Sequence, residues 1–228
     1  MTVPPKDTPV TPLWRNREFN LLWSSQSLSD LGGAIALLAV PLLVLAETGS
    51  AVQAGAVGTA AQLAKLAIRL PGGVLADRVN RRHAMLICDA IRLVAFTALA
   101  VVVATGNAGL TVIIAVAVID AACGSMFNTT EHAALRSIVP PGQLPAAVAR
   151  NEARSYGTTL AGPPLGGLLF GVTQALPFIG NALSYLASLI GVALIRKPLQ
   201  GARDENPPGH AAALAEGLRF VFGNPFLR

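Results

Sequence analysis

Long apolar runs constrain this sequence more than any other feature. Each run is close to or longer than the roughly 20 residues that a helix needs to cross a bilayer. Only 13% of the 228 residues are charged and 53% are hydrophobic, whereas about a quarter of the residues in a soluble domain are charged. The sequence therefore predicts an all-α membrane protein with six transmembrane helices. Their predicted ranges are 19–45, 54–75, 84–104, 110–127, 144–173 and 176–195.

The connections between these runs alternate in charge. Those without Lys or Arg are 46–53, 105–109 and 174–175. Most of the basic residues lie in the N-terminal tail, in 76–83, in 128–143 and after 195. Because Lys and Arg concentrate in cytoplasmic loops, this alternation predicts a multi-pass protein of the cell membrane with both termini in the cytoplasm.

The domain organisation follows from the same pattern. Residues 1–18 are predicted to form a cytoplasmic tail, 19–195 the six-helix transmembrane domain, and 196–228 a cytoplasmic linker. Within the linker, 211–222 has apolar residues along one face and is predicted to lie as an amphipathic helix on the membrane surface. A seventh membrane helix would be expected beyond Arg228.

A short charged segment joins the second and third runs. Its pattern is G-x-x-x-D-R-x-x-R-R, formed by Gly73, Asp77, Arg78, Arg81 and Arg82. The aspartate and the arginines are predicted to form a charge network that holds helices together at the cytoplasmic surface in one state. The alternative is an ordinary arginine-rich cytoplasmic loop.

This spacing resembles the motif between the second and third helices of the major facilitator superfamily. Asn80 stands where the family usually has a glycine, and asparagine also tolerates a left-handed turn. The resemblance implies that the segment takes part in gating.

The fifth run carries a second motif, with Gly162, Pro163, Gly166 and Gly167 in the pattern G-P-x-x-G-G. Glycines four residues apart permit close contact between membrane helices, and Pro163 with Pro164 predicts a bent or locally unwound helix. The pattern resembles part of the fifth-helix motif of drug–proton antiporters in the same superfamily. Close packing alone explains the glycines about as well.

The resemblance extends over nearly the whole chain. It implies the amino-terminal six-helix half of a twelve-helix transporter, built as an inverted repeat of three plus three helices. Within the superfamily, the chain resembles bacterial exporters of the enterobactin-exporter and macrolide-efflux type. The implied function is proton-coupled efflux of small hydrophobic compounds such as drugs or siderophores, with no enzymatic activity. The alternatives are a metabolite uptake transporter of the same fold and a truncated, non-transporting membrane fragment.

Ionisable residues inside the apolar runs are the candidate transport residues. Asp30, Lys65 and Asp120 are predicted near the midplane, with Arg69 close by. A charge at that depth costs about 2.5–3.5 kcal/mol on insertion scales, so each is a functional candidate. Either carboxylate would bind a proton or a cationic group; the alternative is a structural Asp30–Lys65 pair. The resemblance places Asp120 where many relatives carry an arginine, four residues before a glycine, here Gly124.

Further charged residues are assigned structural or surface positions. Asp89 and Arg92 lie three residues apart on one helix face and are predicted to pair, or Asp89 to pair with the 76–83 segment. Arg150 and Arg154 are predicted to be solvated or to face lipid phosphates.

The expected partners are membrane lipid, a small-molecule substrate and a second six-helix half. No nucleic acid is expected, since no basic stripe with interleaved aromatics is present. No cofactor or metal is expected, because the sequence has no P-loop and no metal-ligand spacing of histidines or cysteines.

Overall fold

The computed structural model describes residues 12–197, 199 and 200, and over 70–78 it describes the backbone alone. Six long helices make up this part of the chain. They are α1 (Arg17–Thr48), α2 (Ala51–Arg78), α3 (Arg81–Ala104), α4 (Leu110–Ile138), α5 (Leu144–Val172) and α6 (Leu176–Leu194). Two short 3-10 helices, Leu13–Arg15 and Pro141–Gln143, precede α1 and α5.

Four of these helices, α1, α3, α4 and α6, are long and apolar enough to cross a membrane. The prediction of an all-α membrane protein is confirmed at this level for the described residues. The count of six crossings stays a prediction. The predicted amphipathic helix at 211–222 and the tail over 1–11 lie outside the described residues.

The helices form a bundle in which α1 packs along α5 and α6, α2 along α4, and α3 along both α4 and α6. Two apolar clusters make up its buried interior. One includes Leu43, Phe96, Leu99, Ile113 and Phe178. The other, which includes the start of α1, contains Phe19, Leu22, Met85, Leu135 and Ile138.

A polar layer separates the two clusters. It consists of Gln26 and Ser29 on α1, Asp89 on α3 and Ser188 on α6, all at most 3% exposed. On each of these helices the apolar residues before and after the layer belong to different clusters. Because buried polar groups need hydrogen-bond partners, this layer fixes which helix faces meet.

Helix α4 is longer than the sequence suggested. It continues to Ile138, so most of the loop predicted over 128–143 is helical. The reason is an amphipathic pattern in a stretch that looks polar: Glu131, Ala134, Leu135 and Ile138 are all buried and recur at helical spacing.

The turn between α2 and α3 is correspondingly short, with only Val79 and Asn80 between the helices. Asn80 is extended, with φ −65° and ψ 112°, and does not use the left-handed conformation that asparagine tolerates. Its side chain instead accepts hydrogen bonds from the backbone N–H groups of Arg82 and His83. Asn80 therefore acts as the N-cap of α3.

Two further differences from the sequence predictions concern α5 and the start of α1. Helix α5 is continuous through Pro163 and Pro164, so the alternative of local unwinding is wrong, while the alternative of a bend stays a prediction. The folded region also begins before residue 19, because Leu13 is buried and Asn16 caps α1 by accepting from the backbone N–H of Phe19. Asn16 also donates to the carbonyl of Ile138 and so ties the start of α1 to the end of α4.

Glycines bring α5 against α1. A Cβ added at Gly162 would lie 2.3 Å from the Cβ of Ala34, and one at Gly166 would lie 2.8 Å from the carbonyl oxygen of Ile35. At Gly167 the nearest atom would be at an ordinary 3.8 Å, on Leu38. Gly162 and Gly166 therefore set the distance between the two helices.

We expect Gly162→Ala to destabilise the bundle by about 1–3 kcal/mol, since the added methyl group must push α5 away from α1. Gly157→Ala is the matched control, because a Cβ at Gly157 has no neighbour within 4 Å. Thermal unfolding of the purified chain in detergent, followed by circular dichroism, measures both. Equal melting temperatures for the two variants would contradict the close contact.

Candidate functional site

Arg154 of α5 joins three helices through two carboxylates. Its Nε donates to Oδ2 of Asp30 on α1 at 2.9 Å, and its Nη2 donates to Oε1 of Glu131 on α4 at 3.0 Å. Asn151 donates to the same Glu131 oxygen at 3.4 Å. These four residues form the α1–α4–α5 cluster.

The two carboxylates of this cluster differ in their access to solvent. The side chain of Asp30 is 34% exposed, whereas those of Glu131 and Arg154 are 4% and 6% exposed. Nη1 of Arg154 is also buried and has no hydrogen-bond partner among the described residues. The cluster therefore contains one carboxylate that is partly exposed at the surface of the bundle and one that is buried, both bonded to a single guanidinium.

A second cluster joins α3, α4 and α6. Nε of Arg92 and the hydroxyl of Tyr185 both donate to Oδ1 of Asp120, each at 2.8 Å. Nη2 of Arg92 donates to the Tyr185 hydroxyl at 2.6 Å, and the guanidinium carbon lies 4.0 Å from the centroid of the Tyr185 ring. Arg92 is thus held by a carboxylate, a hydroxyl and an aromatic face.

This α3–α4–α6 cluster continues into the polar layer. Nη1 of Arg92 lies 4.0 Å from Oδ1 of Asp89. Ser188 donates to Oδ2 of Asp89 at 2.5 Å, and Gln26 donates to the Ser188 hydroxyl at 2.8 Å. The predicted pair of Asp89 and Arg92 is therefore present as a 4.0 Å contact, although the hydrogen bonds from Arg92 go to Asp120 and Tyr185.

Lys65 and Arg69 lie apart from the first cluster. Both are exposed on α2 and line a pocket of about 370 Å³ together with Arg92 and Asp120. The alternative of an Asp30–Lys65 pair is wrong, because Asp30 binds Arg154. Asp30 and Lys65 were expected to pair because both lie in the interior of a helix, but they lie on helix faces that do not meet.

The prediction for Arg154 is also wrong. It is buried between carboxylates and does not face solvent or lipid phosphates, whereas Arg150 is exposed as expected. Ala147, Asn151 and Arg154 are all buried on one face of α5 at spacings of four and three residues. That spacing was the sequence signal for a buried Arg154. The polar composition of the stretch obscured it.

Sequence reasoning missed several other members of the two clusters. Glu131 was assigned to a loop, and Tyr185 and Ser188 were not distinguished from other residues of an apolar run. The signal for Glu131 was its position in the buried pattern of α4. Nothing in the sequence marks Tyr185 as the partner of Arg92, since their contact depends on how α3 and α6 meet.

The turn between α2 and α3 is bound to neighbouring elements through its arginines. Nη1 of Arg81 donates to the carbonyls of Ala133 and Leu199, at 3.2 and 3.1 Å, and to the hydroxyl of Ser137 at 3.3 Å. Arg82 donates to the carbonyl of Ala193. The start of α3 is thus tied to the end of α4 and to the segment that includes and follows the end of α6.

The remaining residues of the charged motif lie in the part of α2 that is described by its backbone alone. They are Gly73, Asp77 and Arg78. The predicted role of Asp77 in a charge network therefore stays a prediction.

Four of the described helices are long and apolar enough to cross a membrane, and ion pairs in the helix interiors join α1 to α5 and α3 to α4. This combination is typical of a multi-pass helical membrane protein. Residues 22–228 match the family model described as the Major Facilitator Superfamily. The chain belongs to this superfamily, which confirms the resemblance seen in the sequence. Its members are transporters and not enzymes.

Two relatives show which branch of the family is similar. The chain is 28% identical over 206 residues to a protein named "Multidrug efflux pump Tap" from Mycolicibacterium fortuitum, which covers 86% of this chain and 50% of that protein. It is 29% identical over 208 residues to the protein of the same name from Mycobacterium tuberculosis H37Rv, covering 86% of this chain and 49% of the relative. The chain thus spans about half the length of the curated relatives it matches.

We expect Arg154→Gln to destabilise the bundle by about 3–5 kcal/mol, because it leaves two carboxylates close together without their cation. Arg150→Gln, an exposed change on the same helix, should have little effect. Adding Glu131→Gln to Arg154→Gln removes the buried unpaired charge and should restore part of the loss. Chemical unfolding of the purified variants measures all three; additive effects in the double variant would argue against the shared contact.

Proposed function

We propose that this chain is the amino-terminal half of a proton-coupled exporter of small, largely apolar compounds such as drugs. The observation that carries the proposal is the partly exposed carboxylate of Asp30, which shares a buried guanidinium with Glu131. The similarity to proteins named as multidrug efflux pumps supports export over uptake. In this proposal a second six-helix half completes the transporter.

Asp30 is the first candidate for the proton site. It lies in the interior of the 32-residue helix α1, about 20 Å from the start of the helix and about 27 Å from its end. A proton on Asp30 removes its charge, so Arg154 is then held by Glu131 alone. Contact between α1 and α5 weakens while contact between α4 and α5 remains, and this difference between two states is what coupled transport requires.

Asp120 is the second candidate, and Arg92 supports it. The family resemblance implies an arginine on the fourth helix itself, four residues before the glycine that corresponds to Gly124. Here Nη2 of Arg92 lies 3.5 Å from the place where a Cβ of Gly124 would be. We infer that Arg92 of α3 supplies the guanidinium that α4 lacks at this level, with Asp120 as its carboxylate partner.

The proposal includes a topology. Six helices cross the cell membrane as an inverted repeat of three plus three, with residues 1–18 and 196–228 in the cytoplasm. The turn between α2 and α3 then lies on the cytoplasmic side, where the bonds of Arg81 and Arg82 hold α3 to α4 and α6. Asp77 and Arg78 would extend this contact, and its release would accompany gating.

Asp30→Asn in the full-length protein should abolish drug-dependent proton movement and lower export to the level of cells without the transporter. The amide keeps the shape of the side chain but cannot take part in a proton cycle. Proton release in inverted membrane vesicles and dye accumulation in cells measure the two effects. Glu152→Gln, an exposed change on α5, is the control.

Asp120→Asn tests the second candidate in the same assays and should also abolish proton-coupled export. Wild-type export in both aspartate variants would remove the proton-site proposal.

Cysteine labelling tests the topology. In a variant lacking Cys88 and Cys123, a cysteine introduced by Asn107→Cys should react with a membrane-impermeant maleimide in intact cells. One introduced by Gly142→Cys should react only in inverted vesicles, because it lies on the opposite side of the membrane. Labelling of both in intact cells would contradict the proposed six-crossing arrangement.

A further inference from the structure

The pocket between α2 and α4 has an excess of positive charge. Lys65, Arg69 and Arg92 line it, against a single carboxylate, that of Asp120. Asp120 already accepts hydrogen bonds from Arg92 and Tyr185. Within the described part of the chain, neither Lys65 nor Arg69 has a carboxylate within 4.0 Å, so two cations face the pocket without an internal counter-charge.

The pocket lies deep between the helix ends. Lys65 is halfway along the 28-residue helix α2, so about 20 Å of helix separates it from either end. The hydroxyl of Ser125, in the middle of α4, donates to the carbonyl of Lys65 at 3.3 Å and places both helices at the same level. Lipid phosphates lie at the surfaces of a hydrocarbon core about 30 Å thick, far from this level.

Charges without partners at this depth are costly, so a ligand that supplies the missing negative charge would be favoured. The volume of about 370 Å³ accommodates a small organic molecule, and Asn128 adds an amide donor to the α4 wall. We propose that this pocket binds the anionic group, a carboxylate, sulfonate or phosphate, of an organic anion. The further step, that such an anion is cargo, rests on the proposed export function.

This proposal reverses the charge expected from the sequence. Asp120 alone suggests a site for a proton or a cationic group. The structure places Asp120 against Arg92 and adds the two cations of α2 to the same pocket. Selectivity for anions over cations of the same shape is therefore the property to measure.

Two xanthene dyes provide matched probes, since fluorescein is an anion and rhodamine 123 a cation on a similar ring system. The chain is reconstituted in nanodiscs of zwitterionic phosphatidylcholine, and binding is followed by fluorescence polarisation. We expect fluorescein to bind more tightly than rhodamine 123. Lys65→Gln and Arg69→Gln should each weaken fluorescein binding by roughly three- to tenfold. Lys197→Gln, an exposed change after α6, should leave it unchanged.

Asp120→Asn gives an effect of opposite sign and so separates charge from misfolding. Removing the carboxylate should strengthen fluorescein binding, whereas a folding defect would weaken the binding of both dyes. Equal affinities for the two dyes, or no effect of the α2 variants, would overturn the proposal.

Two further measurements identify the source of the anion and separate this proposal from the proposed function. If nanodiscs containing anionic phosphatidylglycerol abolish fluorescein binding, the pocket is a lipid site and the proposal of an organic anion is wrong. Dye accumulation in cells expressing the full-length protein tests export independently. Charge-dependent binding without export would support the pocket and contradict the exporter; export without charge-dependent binding would do the reverse.

Discussion

The arrangement of α1, α4 and α5 depends on the two ion pairs that the buried guanidinium of Arg154 makes. A cation that is 6% exposed is stable only with partners, and it has a carboxylate on each of the other two helices. Close approach makes this possible, since Gly162 and Gly166 let α5 lie against the backbone of Ala34 and Ile35 on α1. Backbone contact and ion pair therefore support each other, and a change in one alters the geometry of the other.

The same helix connects this contact to the second cluster. Gln26 and Asp30 lie four residues apart on α1, hence near one face. Gln26 begins the chain of hydrogen bonds that runs through Ser188 and Asp89 toward Arg92, while Asp30 binds Arg154. A movement of α1 that breaks the Asp30–Arg154 contact would also disturb the polar layer.

Helix positions were predictable from the sequence because apolar runs of membrane length leave few alternatives. The start of α4 at Leu110 and that of α6 at Leu176 were predicted to the residue. The end of α4 was not, because residues 128–138 are polar in composition and their helical pattern shows only when Glu131 is counted as buried. A polar residue on a buried face is an exception that composition cannot reveal.

The pairing of charges was less predictable than their depth. Depth along a helix follows from residue number, so Asp30, Lys65 and Asp120 were expected in helix interiors, where the structure has them. Their position near the membrane midplane stays a prediction. Which residues meet depends on the face of each helix and on how closely helices approach. Asp30 therefore forms an ion pair with Arg154, which was predicted to lie at the membrane surface, and Asp120 forms one with Arg92.

Once the partners are known, the ionisable residues in the helix interiors divide into two kinds. Glu131, Asp89 and Arg154 are buried and bonded within the fold, so they stabilise the bundle whether or not a ligand is bound. Lys65 and Arg69 are exposed to a pocket and have no described carboxylate partner, so their charges are available to something outside the chain. Asp120 and Arg92 belong to both groups, because they bind each other and line the pocket. A ligand that attracts Arg92 would compete with Asp120 for the Arg92 guanidinium. This competition links occupation of the pocket directly to the contacts that hold α3, α4 and α6 together.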